Sequence, residues 1–208
     1  MALAALEPLL ATQALWHAGR VAAAPVDGEP TGHAGLDALL PQHGWPRGAL
    51  TELLLPADGV GELSLLLPTL ARCTRTGAPV VLVAPPYLPY APAWQAAGVD
   101  LAHLEVIETS IARDALWAFE QCLRSGACAA VVGWPLQADA AALRRLQVAA
   151  GSGACLGFAL RDRCHAGNPS PAALRLEHVR DGQGRSAWRV RKCRGGPVPT
   201  RAFDARAC

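Results

Sequence analysis

Between Thr51 and Leu160 the chain alternates, over and over, between two kinds of periodicity, and this limits its fold more than any single motif does. Short apolar, β-rich runs at Thr51–Leu55, Val80–Ala84, Leu104–Glu108, Ala129–Val132 and Cys155–Leu160 are separated by helical patterns at Gly61–Arg75, Ala91–Ala97, Ala112–Arg124 and Ala138–Ala150. The strands read as continuous hydrophobic runs rather than alternating ones. That is what a parallel sheet covered on both faces requires, with each helix serving as a crossover. The pattern changes near the end. Ala172–Val179 and Ala187–Lys192 alternate apolar with charged residues around Asp181-Gly182-Gln183-Gly184, which predicts an antiparallel hairpin with one wet face. The expected architecture is a three-layer α/β/α core with a mostly parallel sheet and a C-terminal antiparallel hairpin, preceded by an N-terminal helix.

The 208 residues suffice for one well-buried domain. Leu3–His17 places Leu6, Leu9, Leu10, Leu15 and Trp16 at helical spacing, and Ala22–Pro30 reads as a linker. Residues 1–30 are therefore expected as an N-terminal helix and linker, 31–194 as the core and 195–208 as a flexible tail. Within the core, Thr31–Leu40 starts at a plausible cap and reads as a short helix stopped by Pro41; Gly44–Gly48 is a turn into the first strand.

Apolar residues make up 51% of the chain without forming the run of about 20 that spans a bilayer. Met1–Leu10 has no Lys or Arg and includes Glu7 and Pro8, unlike a secretory signal, so no membrane partner and a cytoplasmic location are expected. Seven cysteines without a C-x-x-C pair read as reduced thiols, and Cys164-His165 alone does not make a metal site. No metal and no cofactor are expected. Charge is uneven: residues 1–160 carry 8 basic against 13 acidic side chains, residues 161–208 carry 11 against 4. Arg161, Arg163, Arg185, Arg189, Arg191, Lys192 and Arg194 supply much of this basic end. It reads either as a phosphate-attracting face, with Arg185, Arg189, Arg191, Lys192 and Arg194 as nucleic-acid contacts, or as a solvated hairpin.

The segment Pro56-Ala57-Asp58-Gly59-Val60-Gly61-Glu62-Leu63-Ser64 lies where a strand would feed a phosphate-binding loop. Such a loop needs Gly at its first position, Lys directly after its second Gly, then Ser or Thr for magnesium. Pro56, Glu62 and Leu63 occupy those places. A carboxylate about 4 Å from a phosphate, at an effective dielectric of about 20, is repelled by roughly 4 kcal/mol. Pro56, Gly59, Gly61, Glu62 and Leu63 thus read as a degenerate nucleotide loop. The choice is between a plain strand-to-helix turn and an anion site using helix-terminal amides alone. Ser64 reads as a small helix residue. Scattered acids and histidines show no paired-carboxylate or Ser-His-Asp arrangement, so no catalytic residue is assigned.

Thr31-Gly32, Leu36-Asp37, Leu40, Gly44-x-Pro46-x-Gly48, the loop and Gly98-Val99-Asp100 follow one another in an order that resembles the RecA recombinase core over residues 31 to about 192. The T-G-x-x-x-L-D-x-x-L-P segment at Thr31–Pro41, the G-W-P-x-G turn at Gly44–Gly48 and Thr51-Glu52-Leu53 resemble the SulA-like ImuA family more closely. The resemblance implies a RecA-like fold. RecA's catalytic acid would follow the second core strand, where Ala84-Pro85-Pro86-Tyr87 stands, and its magnesium-shell Asp would end the Ala129–Val132 strand, where Gly133 and Trp134 stand. Its two DNA loops are cut to Pro135-Leu136-Gln137 and Cys164–Pro171. The implied role is therefore a non-enzymatic accessory of SOS-induced translesion DNA synthesis and mutagenesis. Its implied partners are ImuB (an inactive Y-family polymerase relative), the RecA filament and the error-prone replicative DNA polymerase alpha subunit. Leu9, Leu10, Leu15 and Trp16 are the candidate partner-binding residues, Trp being enriched at binding hot spots. The alternatives are a SulA-like division inhibitor binding FtsZ and a degenerate DNA-dependent ATPase.

Overall fold

A computed structural model describes residues 28–204 of the chain. A short helix, α1 (Ala34–Asp37), leads into β1 (Ala49–Leu55), α2 (Glu62–Arg75), β2 (Val80–Val83), α3 (Ala91–Ala96), β3 (Leu104–Ile107), α4 (Ala112–Arg124), β4 (Ala130–Gly133), α5 (Ala140–Ser152), β5 (Leu156–Asp162), β6 (Leu174–Arg180) and β7 (Ser186–Cys193). The strands form one seven-stranded sheet in the order β3-β2-β4-β5-β1-β6-β7. All pairings are parallel except β6 with β7, so the expected α/β architecture with its antiparallel C-terminal hairpin is the one observed.

Alternate residues of each strand face two separate cores. Leu53, Leu55, Leu82, Val132, Phe158, Leu160 and Leu176 pack with Leu65, Leu66 and Leu70 of α2 and Trp94 of α3. On the other face Leu50, Val81, Val83, Val131 and Ala159 pack with Phe119 and Leu123 of α4 and with Leu143, Leu146 and Ala149 of α5. Every residue of β1, β2 and β4 is buried, which is why these runs show no polar alternation. At the β3 edge Glu105 and Val106 are exposed.

The segment that precedes β1 is fastened to α2, and this accounts for its motifs. The Asp37 carboxylate accepts the Thr31 backbone N–H at 2.9 Å, and Gly32, at φ +86°, lies so close to Pro68 that a β-carbon there would clash. Trp45 is fully buried against Phe158 and donates through Nε1 to Thr69 Oγ1 at 2.9 Å; that hydroxyl in turn donates toward the carbonyls of Pro30 and Thr31. Glu29 pairs in an antiparallel bridge with Trp45 and holds Arg47 and Arg72 at 2.8 and 2.9 Å. Residues 28–30 thus belong to the core rather than to the expected linker.

Two further expectations change. The hairpin's wet face is interrupted: Arg189 and Arg191 of β7 are exposed opposite buried Trp188 and Val190, as expected, but in β6 Arg175 is buried on the face opposite Leu174, Leu176 and His178. Nor is the segment after Gly195 wholly loose. Phe203 is buried, exchanges backbone hydrogen bonds with Trp188 of β7 and meets the His33 ring edge-on.

Candidate functional site

The turn from β1 into α2 joins two left-handed glycines to a buried carboxylate. Gly59 and Gly61 have φ of +78° and +107°, and a β-carbon on either would meet open space. Glycine is needed there for its left-handed conformation rather than for room. Pro56 is exposed and Leu63 packs its side chain against the α2 core. Glu62, the first residue of α2, is 3% exposed. Its Oε1 accepts the Gly59 N–H at 2.7 Å, so the carboxylate reaches back three residues, as a capping side chain does, and takes a loop donor for itself. Its Oε2 is buried with no hydrogen-bond partner among the described residues. Burial, and after it the charge of Glu62, raises the carboxyl of Asp58 above its ordinary range.

An open cleft of about 800 Å³ separates this turn, with Ser64, from the β6–β7 hairpin. His178 on the far wall bonds through Nε2 with Ser186 Oγ at 2.7 Å and packs edge-on against Trp188. Burial, then the Arg180 charge, lowers its pKa and favours neutral imidazole. Arg180 donates to the Gly184 carbonyl, and Arg185 to Asp181 at 2.8 Å.

The strand ends where the RecA resemblance would place acids hold other residues, half-buried or exposed after β2 and buried at Trp134 after β4. Ala84, at φ +48°, donates its N–H to Ile107 O and leads into Pro85 and Pro86. At Gly133 a β-carbon would stand 2.7 Å from the Phe119 ring, so a side chain there would require that buried ring to move. Trp134 next to it is buried.

The two loops beyond β4 and β5 are held by one carboxylate that the residue pattern did not single out except as part of Thr51-Glu52-Leu53. Glu52 lies at the centre of β1, fully buried, with Arg161 Nη1 on one oxygen at 2.8 Å and Arg175 Nε on the other at 2.7 Å. Arg161 also donates to Ala138 O in the first loop. Arg175 donates to His165 O, Ala166 O and Asn168 O in the second. Arg161, read from the sequence as part of an exposed basic face, is instead buried, because the β1–β5 register brings it beside Glu52. A fully buried acid was the available signal: a Glu inside an otherwise apolar strand demands a paired cation.

Of the candidate nucleic-acid contacts, Arg185 is paired with Asp181, Arg191 lies 3.6 Å from Glu177, and Lys192 donates to Ser170 O at 2.6 Å. Arg189 and Arg194 are exposed. They are spread along β7 and beyond it rather than gathered at one site. Leu9, Leu10, Leu15 and Trp16 lie outside the described residues. The sequence reading did not single out Trp117, which stands 65% exposed on α4, nor the exposed Tyr87, Leu88 and Tyr90 in the loop after β2. Among the described residues no helix is long and apolar enough to cross a membrane, and no group of three or more His, Cys, Asp or Glu is placed to hold a metal ion.

No protein-family model matches the chain. It is 31% identical to the protein RecA of Thermus aquaticus over 131 residues, which is 63% of this chain and 38% of that protein. The chain therefore spans well under half the length of the RecA it matches. The crystal structure of SulA from Pseudomonas aeruginosa superposes with a TM-score of 0.46 at 24% identity, covering 53% of this chain and 96% of that one.

Proposed function

We propose that the chain is a RecA-shaped interaction module that does not turn over nucleotide. The observation that carries this reading is Glu62. A buried carboxylate bonded to its own loop amide occupies the place where a phosphate would need a cation and a free N–H donor. Gly133, where a side chain would collide with the buried Phe119 ring, agrees with it. So do the two loops tied through Arg161 and Arg175 to Glu52, since a DNA grip that orders on binding needs loops able to move.

The role in this reading is that of an ImuA-type accessory in SOS-induced translesion synthesis. It docks onto ImuB and the RecA filament through surfaces that a RecA protomer presents to its neighbours, with the error-prone polymerase alpha subunit as a further partner. Leu9, Leu10, Leu15 and Trp16 supply the anchor, and the basic end assists beside DNA.

Two measurements test it. Calorimetric titration with Mg-ATP is expected to give no binding heat, and tight magnesium-dependent binding would reinstate an ATPase. Co-purification with ImuB and RecA, with and without single-stranded DNA, is expected to retain one or both. Removing residues 1–27 is expected to abolish that capture while thermal melting still reports a folded core; the cut stops at 27 because Glu29 is bonded into the core. Filamentous growth on overexpression, without capture of either partner, would favour a division inhibitor.

A further inference from the structure

The outer side of α4 and α5 carries charge of the opposite sign to the acidic part of the chain that builds it. Residues 1–160 hold 8 basic side chains, and four of these, Arg113, Arg124, Arg144 and Arg145, stand on this one helix pair. Glu120 of α4 joins the two helices, holding Arg124 of its own helix at 2.6 Å and Arg145 of α5 at 3.2 Å. Beside that junction runs a groove of about 530 Å³. Arg124, Arg144 and Arg145 line it together with Ala140, Ala141 and Val148, and no carboxylate does.

Helical spacing makes this surface. Leu143, Leu146, Ala149 and Ala150 turn one stripe of α5 into the core, so Ala141, Arg144 and Val148, at intervals of three and four residues, form the opposite stripe and face water. Val148 is 59% exposed there, and Trp117, one turn before Glu120 on α4, is 65% exposed. The nearby acids are already engaged: Glu120 serves two arginines, Asp114 lies beside Arg113, and Asp139 caps α5 by accepting the Ala142 N–H at 2.7 Å. Arg144 has no partner among the described residues.

We propose that the α4–α5 groove is a docking site for an acidic amphipathic segment of a partner protein, whose carboxylates meet Arg124, Arg144 and Arg145 while an apolar side chain packs on Ala141, Val148 and Trp117. Charge complementarity selects the occupant: three guanidiniums without an acid among them repel a basic segment and attract an acidic one. The apolar floor selects a peptide over a nucleic acid, because Val148 and Trp117 leave water only against apolar side chains and gain nothing from a phosphate backbone. From Ala141 to Val148 the stripe covers two helical turns, about 10 Å, which suits a helix laid along the groove. The surface does not involve Leu9, Leu10, Leu15 or Trp16, so it stands independently of the anchor in the proposed function.

A random peptide library displayed on phage and selected on the full chain tests it. Enriched peptides are expected to carry several Asp or Glu around an aromatic residue or leucine. A fluorescein-labelled synthetic copy of one should bind in fluorescence anisotropy, more weakly as salt rises. Arg144→Glu and Trp117→Ala, both at exposed positions, should each weaken that binding about tenfold without moving the melting temperature, and Arg189→Glu on β7 should leave it unchanged. Enriched peptides with no acidic bias, or binding indifferent to Arg144→Glu and Trp117→Ala, would overturn the proposal. So would a single-stranded DNA oligonucleotide whose binding is lost in Arg144→Glu and kept in Trp117→Ala, which would give the face to nucleic acid. A benzophenone carried in place of Trp117 that crosslinks to residues 1–27 would give it to the chain's own amino-terminal segment, and a concentration-dependent dimer lost in Trp117→Ala would give it to a second copy; either result also overturns the proposal.

Discussion

Glu52 and Glu62 stand ten residues apart, one in the middle of β1 and one at the start of α2, and both are almost fully buried. Glu52 has a guanidinium on each oxygen, and those two arginines carry the connection outward to loop carbonyls on both sides. Glu62 has a single backbone donor on one oxygen and nothing on the other among the described residues. Burial alone therefore does not say what an acid is for. A carboxylate with a charged donor on each oxygen is a fastening, and its removal leaves cations stranded in the interior. A half-satisfied one contributes little to the fold that carries it, because part of its lost hydration is not replaced.

Replacing Glu52 by Gln is the harshest way to probe this difference. Two buried arginines would lose their counter-charge, and urea denaturation should show a loss of about 3–5 kcal/mol. Hydrogen exchange should rise in residues 134–139 and 163–171 before it does in β1, because Arg161 and Arg175 would release the loop carbonyls. An unchanged melting midpoint would show that the pairing around Glu52 is ornamental.

Glu62→Gln should behave in the opposite way. The amide oxygen still accepts the Gly59 N–H and a buried, half-paired charge disappears, so stability should stay within about 1 kcal/mol of wild type or rise slightly. A large loss would mean that the charge itself holds the turn. The smallest effect concerns Asp58, whose raised carboxyl pKa comes from burial first and from Glu62 second. With the folded value above the unfolded one, the folded chain binds the proton more tightly. Stability then falls as pH rises from the unfolded value through the folded one, and Asp58→Asn should remove that slope. In the Glu62→Gln variant, an NMR titration of Asp58 should move down toward the ordinary value without reaching it.

Some of the candidate site was legible in the chain and some was not. The absence of a lysine after Gly61 is a statement about residue identity, readable without coordinates, and so is the Gly59-Val60-Gly61 turn. That a side chain at Gly133 would collide with Phe119 depends on α4 packing over the end of β4, and no local pattern announces a contact between helix and strand. Arg161 was misplaced for a related reason. An arginine at a strand end ordinarily faces water, and only its register against β1 puts it beside an acid.

The succession of apolar runs and helical periods was enough, by itself, to determine a layered α/β core with a parallel sheet and a terminal hairpin. Strand burial and helical amphipathicity are written into residues that are neighbours along the chain. Tertiary structure decided how Glu52 is partnered, across 109 and 123 residues. Those contacts depend on which strands lie side by side and in what register, and one-dimensional periodicity does not encode that.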